Sequence, residues 1–258
     1  MSVTSFRNVA MAVAWRGFRQ SVGSPAFFVS MLMFPLFLFG ALIGGLSQVR
    51  DIPRFDFAGD YASFQFVFVL LQSAAAGGAL TGIAIAIDFQ TGFARRLLLA
   101  SPNRGGIVAG AVLVAIQQAV AIWVVLVAVG LIGGMRVGGS GVDMFGLFGL
   151  ALLVNVAATL WAAGIAMRIR SLQASPVMQM PVLMVFFLAP VFVPIGLLTG
   201  WIHAVAQINP VTALLNAGRG LISGQPEVVA LAFGIAVALV VLMALWARGG
   251  LRSAETAS

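Results

Sequence analysis

Apolar residues fill six long runs of the chain, near 26–46, 61–87, 106–133, 144–167, 177–199 and 227–247, and short polar stretches separate them. Each run supplies the roughly 20 residues a helix needs to cross a hydrocarbon core about 30 Å thick. The pattern predicts an all-α polytopic membrane protein with about six transmembrane helices. The second and third runs are long enough to tilt or to project beyond the lipid. The fifth carries Pro181, Pro190 and Pro194, so it is expected to be kinked or broken, or to surface early.

Residues 4–22 precede the first run and repeat differently. Met11, Trp15, Phe18 and Val22 recur at helical spacing, whereas Asn8, Arg16, Arg19 and Gln20 fall on the other side; Arg7 breaks the scheme. Two readings fit: an amphipathic helix in the headgroup plane, or a soluble helix packed on a partner. Ser24-Pro25 ends it and starts the first span. That span begins late and is longer than a signal-peptide core, so it is expected to stay as an anchor. The whole chain, 1–258, then reads as one transmembrane domain. It comprises an N-terminal helix (1–24), six spans (25–248) and a short polar tail (249–258).

Composition supports this picture. Hydrophobic residues make up 61% of the chain and charged ones only 8%, with a mean hydropathy of +1.09. A soluble domain carries about 25% charged residues. The net charge of +7 comes from arginine alone, since there is no lysine. An arginine-only composition rich in Ala, Gly and Val fits a GC-rich bacterial genome and hence a bacterial plasma (inner) membrane. Placing both termini in the cytoplasm puts Arg7, Arg16, Arg19, Arg95, Arg96, Arg104, Arg168, Arg170, Arg248 and Arg252 inside. Only Arg50, Arg54, Arg136 and Arg219 then lie outside, a positive-inside bias. These arginines are scattered between apolar runs and form no contiguous basic face, so nucleic acid is not an expected partner.

The residue types present exclude several chemistries. A phosphate loop needs a lysine to reach the outer phosphates, so the glycine run Gly133–Gly141 reads as a flexible external turn. Schiff-base chemistry fails for the same reason. The absence of cysteine removes disulfides and thiolate metal sites. The single histidine, His203, has no acidic partner in sequence and reads as a loop residue. No carboxylate lies in the interior of a span; Asp88 is at the inner end of the second and Glu227 at the outer start of the sixth, which disfavours a carrier driven by a proton or sodium gradient. No catalytic residue, bound cofactor or metal site is expected in this chain.

The polar groups within spans are amides, chiefly Gln65, Gln72, Gln117, Gln118 and Asn155. Two roles remain open for them: lining a translocation path, or hydrogen-bonding helix to helix at about 1 kcal/mol each. Gly40 with Gly44, and Gly78 with Gly82, have the small-xxx-small spacing that permits close helix approach.

The segment after the second span reads Asp88-Phe89-Gln90-Thr91-Gly92-Phe93-Ala94-Arg95-Arg96-Leu97-Leu98-Leu99-Ala100-Ser101-Pro102-Asn103-Arg104. It is either a short charged helix on which a cytoplasmic partner docks, or an ordinary positive-inside loop. This stretch resembles the membrane subunits of type-2 ATP-binding-cassette exporters, close to the daunorubicin-resistance and nodulation-factor permeases. The resemblance rests on Asp88, Gly92, Leu97-Leu98, Ser101-Pro102 and Arg104. It also rests on Asn209-Pro210 through Arg219-Gly220, which is similar to the family's external, partly re-entrant hairpin before the last span. The family's acidic position is more often glutamate than aspartate.

The resemblance implies a half-transporter: two permease copies or homologues joined by two separate cytoplasmic ATPase subunits that carry ATP-Mg. Asp88, Gly92, Arg95, Arg96, Leu97, Pro102 and Arg104 would form the ATPase-coupling loop. Asn209, Pro210 and Arg219 would mark the external hairpin, and the amides Gln65, Gln72, Gln117 and Asn155 are candidates for the path. The implied cargo is an amphiphile (drug, lipid or glycolipid) or a polysaccharide, moved outward. A non-transporting membrane scaffold or a facilitative channel is the rival reading.

Overall fold

The structure, a computed structural model, describes residues 3–23, 25–53, 55–100 and 103–256. The α-helices among them are α1 (Val3–Gly23), α2 (Pro25–Leu46), α3 (Tyr61–Gln90), α4 (Phe93–Ala100), α5 (Gly105–Ile132), α6 (Gly141–Ile169), α7 (Ser175–Phe187), α8 (Trp201–Ile208), α9 (Pro210–Ser223) and α10 (Val229–Thr256). Five of them, α2, α3, α5, α6 and α10, are long and apolar enough to cross a membrane. The chain is thus an all-helical, multi-pass membrane protein.

The fifth predicted run departs from a simple span. α7 has 13 residues and is therefore about 20 Å long, short of a 30 Å core. It ends at Phe187, and both Pro190 and Pro194 lie in the irregular backbone that follows. Proline offers no amide hydrogen and its ring strikes the carbonyl four residues back, so the helix cannot be continued through this stretch.

α3 forms the centre of the bundle. Its residues Phe66 to Leu71 are at most 2% exposed, enclosed by α2, α5, α6, α7 and α9. α6 lies closest, and two glycines explain why. A methyl group at Gly78 would come within 2.7 Å of the Asn155 carbonyl oxygen, and one at Gly82 within 2.4 Å of the Ala162 Cβ. Gly40 and Gly44 share the same spacing, but their Cβ positions on α2 meet open space.

α1 runs beside α5 in the same direction. Phe6 and Val9 meet Gly106, Ala10 and Val13 meet Gly110, and Gly17 meets Val114; Gln118 Nε2 donates to the Ser21 hydroxyl at 3.0 Å. The packing face is thus the small one, with Ala10 and Ala14 buried, while Met11, Trp15 and Phe18 stay exposed. Sequence periodicity finds the apolar stripe, but that stripe is the face left exposed. The start of α1, the end of α3, α4, the start of α5 and the last turns of α10 gather at one end of the bundle.

At the other end lies the glycine run. The amides of Gly138 and Gly139 both donate to the Ile222 carbonyl, at 2.9 and 3.1 Å. A methyl group at Gly139 would fall 2.1 Å from the Leu221 oxygen. The turn expected to be flexible is instead latched to the last turn of α9, and its glycines are needed for that close approach. The two amides that might have suggested a phosphate cradle are spent on one carbonyl.

Candidate functional site

α3 stops at Gln90 and the chain turns through Gly92, whose φ of +73° lies in the left-handed region that favours glycine. α4 follows as an eight-residue helix with two distinct faces. Ala94 and Leu98 are buried against Phe89, Met167 and Ala247, joined by Leu251. Arg95, Arg96 and Leu99 are exposed on the opposite side, Leu99 at 71%. Leu97 turns toward α1, lining a small cavity with Val9 and Val13. α4 is therefore anchored by one face and presents two cations and a leucine on the other.

The remaining polar residues of this segment hold it in place. Asp88 forms an ion pair with Arg16 of α1, and the same guanidinium sits 4.0 Å from the centre of the Phe93 ring. Arg104 Nε donates to the Leu98 carbonyl at 3.3 Å, satisfying an oxygen that α4 leaves free at its C-terminus. Pro102 lies outside the described residues. Asp88 and Arg104 thus brace the segment, whereas Arg95 and Arg96 have no ion-pair or hydrogen-bond partner among the described residues. Sequence reasoning missed Arg16, because 72 positions separate it from Asp88 and no local pattern links them.

Arg168 and Arg170 are also committed within the chain. Arg168 donates to the Gly164 and Trp246 carbonyls and stacks 3.7 Å from the Trp246 ring. Arg170 donates to the Met167 and Ser253 carbonyls. Both clamp the end of α6 onto α10.

The four path candidates do not share one wall. Asn155 Nδ2 donates to the Ala74 carbonyl at 2.8 Å, where Gly78 lets α6 come close. Gln65 Nε2 donates to the Tyr61 hydroxyl at 2.6 Å. Gln117 is exposed on α5. Gln72 opens onto a cavity of about 280 Å³ between α2, α3 and α7, where it is joined by Gln179. Its Oε1, like Gln65 Oε1 and Asn155 Oδ1, is buried with no hydrogen-bond partner among the described residues.

The segment after α7 is a helical hairpin that folds back into the bundle. At its tip, Asn209 Oδ1 accepts from the Val211 amide, and Asn209 Nδ2 donates to the Val185 carbonyl within α7. Pro210 follows as the first residue of α9, where a missing amide hydrogen costs nothing. Arg219, one helix later, is 4% exposed. It donates to the carbonyls of Pro190 at 2.8 Å, Val191 at 3.1 Å and Phe64 at 3.5 Å, and its guanidinium lies 3.4 Å from the centre of the Phe64 ring. One side chain thereby ties α3, the broken end of α7 and the hairpin together.

His203 belongs to the same hairpin, with Nδ1 3.1 Å from the Leu198 carbonyl and Nε2 2.8 Å from Gln207 Nε2. Among the described residues no three His, Cys, Asp or Glu side chains gather as a metal site.

A bundle of five long apolar helices, with a short two-faced helix anchored between the second and third of them, is the architecture of a polytopic membrane protein. Residues 8–222 match the ABC-2 type transporter membrane domain, and the chain belongs to that family. It is therefore a transporter permease, and membership implies an ABC-type ATPase as partner. No curated protein matches the chain.

Proposed function

We propose that this chain is the membrane-spanning half of an ABC exporter of the daunorubicin-resistance and nodulation-factor type. It pairs with a second permease copy or homologue and is driven by two ATPase subunits that carry ATP-Mg. The observation that carries this reading is the two-faced α4. A helix fixed to the bundle through Ala94 and Leu98, and bearing Arg95, Arg96 and Leu99 outward, can pass a push from a docked partner into α3 and α5. Arginine suits such a contact because its planar guanidinium offers many donors to carboxylates.

The cargo is an amphiphile or a polysaccharide moved outward, and the open groove at Gln72 and Gln179 is the place where an amide meets it. Reconstitution tests this reading. The purified subunit alone is expected to show no ATPase activity above background, and the full complex in proteoliposomes is expected to show activity that rises with cargo. Cargo flux through the subunit without nucleotide would replace the exporter with a channel.

We place the protein in a bacterial inner membrane with both termini cytoplasmic, on the arginine bias. Single cysteines introduced at Ser47 and Ser258 are then expected to label oppositely with an impermeant maleimide on intact cells. Labelling at Ser258 but not at Ser47 inverts this topology.

A further inference from the structure

Arg7 is the one residue that the amphipathic pattern of α1 does not accommodate. In the structure it shares an open groove with Arg248 of α10. The groove, about 710 Å³, runs over α5 between α1 and α10. Its floor and walls are apolar, with Val108, Val112 and Leu113 from α5 and Ala244 and Leu251 from α10 among them, and no carboxylate lines it. Both arginines are exposed, and neither has an ion-pair or hydrogen-bond partner among the described residues.

The polarity of the groove follows from position along the helices. Arg7 belongs to the first turns of α1, level with the start of α5 at Gly105 and Gly106. Leu113 lies eight residues further along α5, about 12 Å deeper, and Ala244 one turn deeper than Arg248. Two cations thus sit at the end of the bundle where α1 begins and α10 ends, and an apolar-lined trough extends from them along α5.

We propose that this groove binds an anionic phospholipid of the leaflet on the side of the termini, with its phosphate at Arg7 and Arg248 and an acyl chain over Val108, Val112 and Leu113. Charge complementarity selects an anionic head: two guanidiniums with no carboxylate among the described lining residues attract a phosphate and gain from bidentate contacts. The apolar trough selects a lipid over a soluble anion. The face is separate from the exposed side of α4, and the site requires neither cargo nor ATPase. Its consequence is structural, because such a lipid would fill the gap between α1 and α10 and hold α1 against the bundle.

The test uses the full chain purified in a mild detergent, with native mass spectrometry after addition of phosphatidylglycerol or phosphatidylcholine. The wild type is expected to retain phosphatidylglycerol with a preference of roughly thirtyfold, in line with two basic contacts. Arg7→Gln with Arg248→Gln is expected to erase the preference. Ala109→Trp, which keeps both arginines but fills the trough, is expected to erase it too. Arg19→Gln with Arg252→Gln removes the same charge from the same two helices outside the groove and is expected to preserve it.

Equal retention of the two lipids by the wild type, or an unchanged preference in the Arg7/Arg248 variant, overturns the proposal. So does loss of preference in the Arg19/Arg252 control, which would mean diffuse charge attraction. If the Arg7/Arg248 variant keeps its lipid but no longer co-purifies with an ATPase or a second copy, the arginines serve a protein interface instead.

Discussion

Replacing Arg95 and Arg96 together with glutamate is expected to abolish both co-purification with the ATPase subunits and cargo-stimulated ATP hydrolysis, while insertion and expression stay at wild-type level. The two side chains are exposed on the free face of α4 and make no contact that the fold needs, so their removal leaves the helix anchored through Ala94 and Leu98. Like charges placed across a contact cost several kcal/mol, which is enough to dissolve a docking interface held by a few residues. Arg95→Lys with Arg96→Lys separates docking from topology. It keeps the charge that orients the chain but loses the planar fork, and a partial fall in stimulated activity is expected. If the double glutamate variant still binds its ATPase and exports normally, α4 is not the docking site.

Arg219→Met is expected to have the largest effect on stability, on the order of 3 kcal/mol or more, read as a drop in the thermal unfolding midpoint of the purified subunit. The substitution keeps apolar bulk against Phe64 but strands the carbonyls of Pro190 and Val191, which the guanidinium now satisfies at 2.8 and 3.1 Å. Each buried carbonyl left unpaired costs about 1–3 kcal/mol, and α7 cannot reclaim them because its helix has already ended. Arg219→Lys, a single point donor, is expected to fall between the two. An unfolding midpoint within experimental error of wild type for Arg219→Met would mean that the hairpin is held by apolar packing alone.

The parts of this molecule that could be read from sequence are those governed by local physics. Long unbroken apolar runs make α3, α5, α6 and α10 unambiguous, and the three prolines between 181 and 194 foretell a broken fifth crossing. Gly92 is legible because a left-handed turn needs glycine, and Gly78 with Gly82 because close helix contact needs small residues.

What could not be read depends on distant partners. Charge counting treats Arg219 as one more external arginine, although its charge is consumed inside the bundle. Arg168 and Arg170 likewise count as cytoplasmic charges while clamping α6 to α10. The pairing of Arg16 with Asp88 and the choice of the Ala10–Ala14 face for packing are tertiary decisions that no periodicity records. Among the amides, only the fold distinguishes Asn155, which ties α6 to α3, from Gln72, which opens on a groove.

The latch between the Gly133–Gly141 turn and α9 also constrains the order in which the protein can be completed during synthesis. The turn joins α5 to α6, yet the carbonyl that holds it belongs to Ile222, some eighty residues later in the chain. Arg136, earlier in the same turn, is already held by Asp60 and Ser63 at the start of α3, but a glycine-rich stretch has little conformational preference of its own, so Gly138 and Gly139 have no carbonyl to close on until α9 has been made and folded back. That half of the link between two early helices therefore sets late, and a nascent chain truncated before α9 would present Gly138 and Gly139 as an open site for proteolysis.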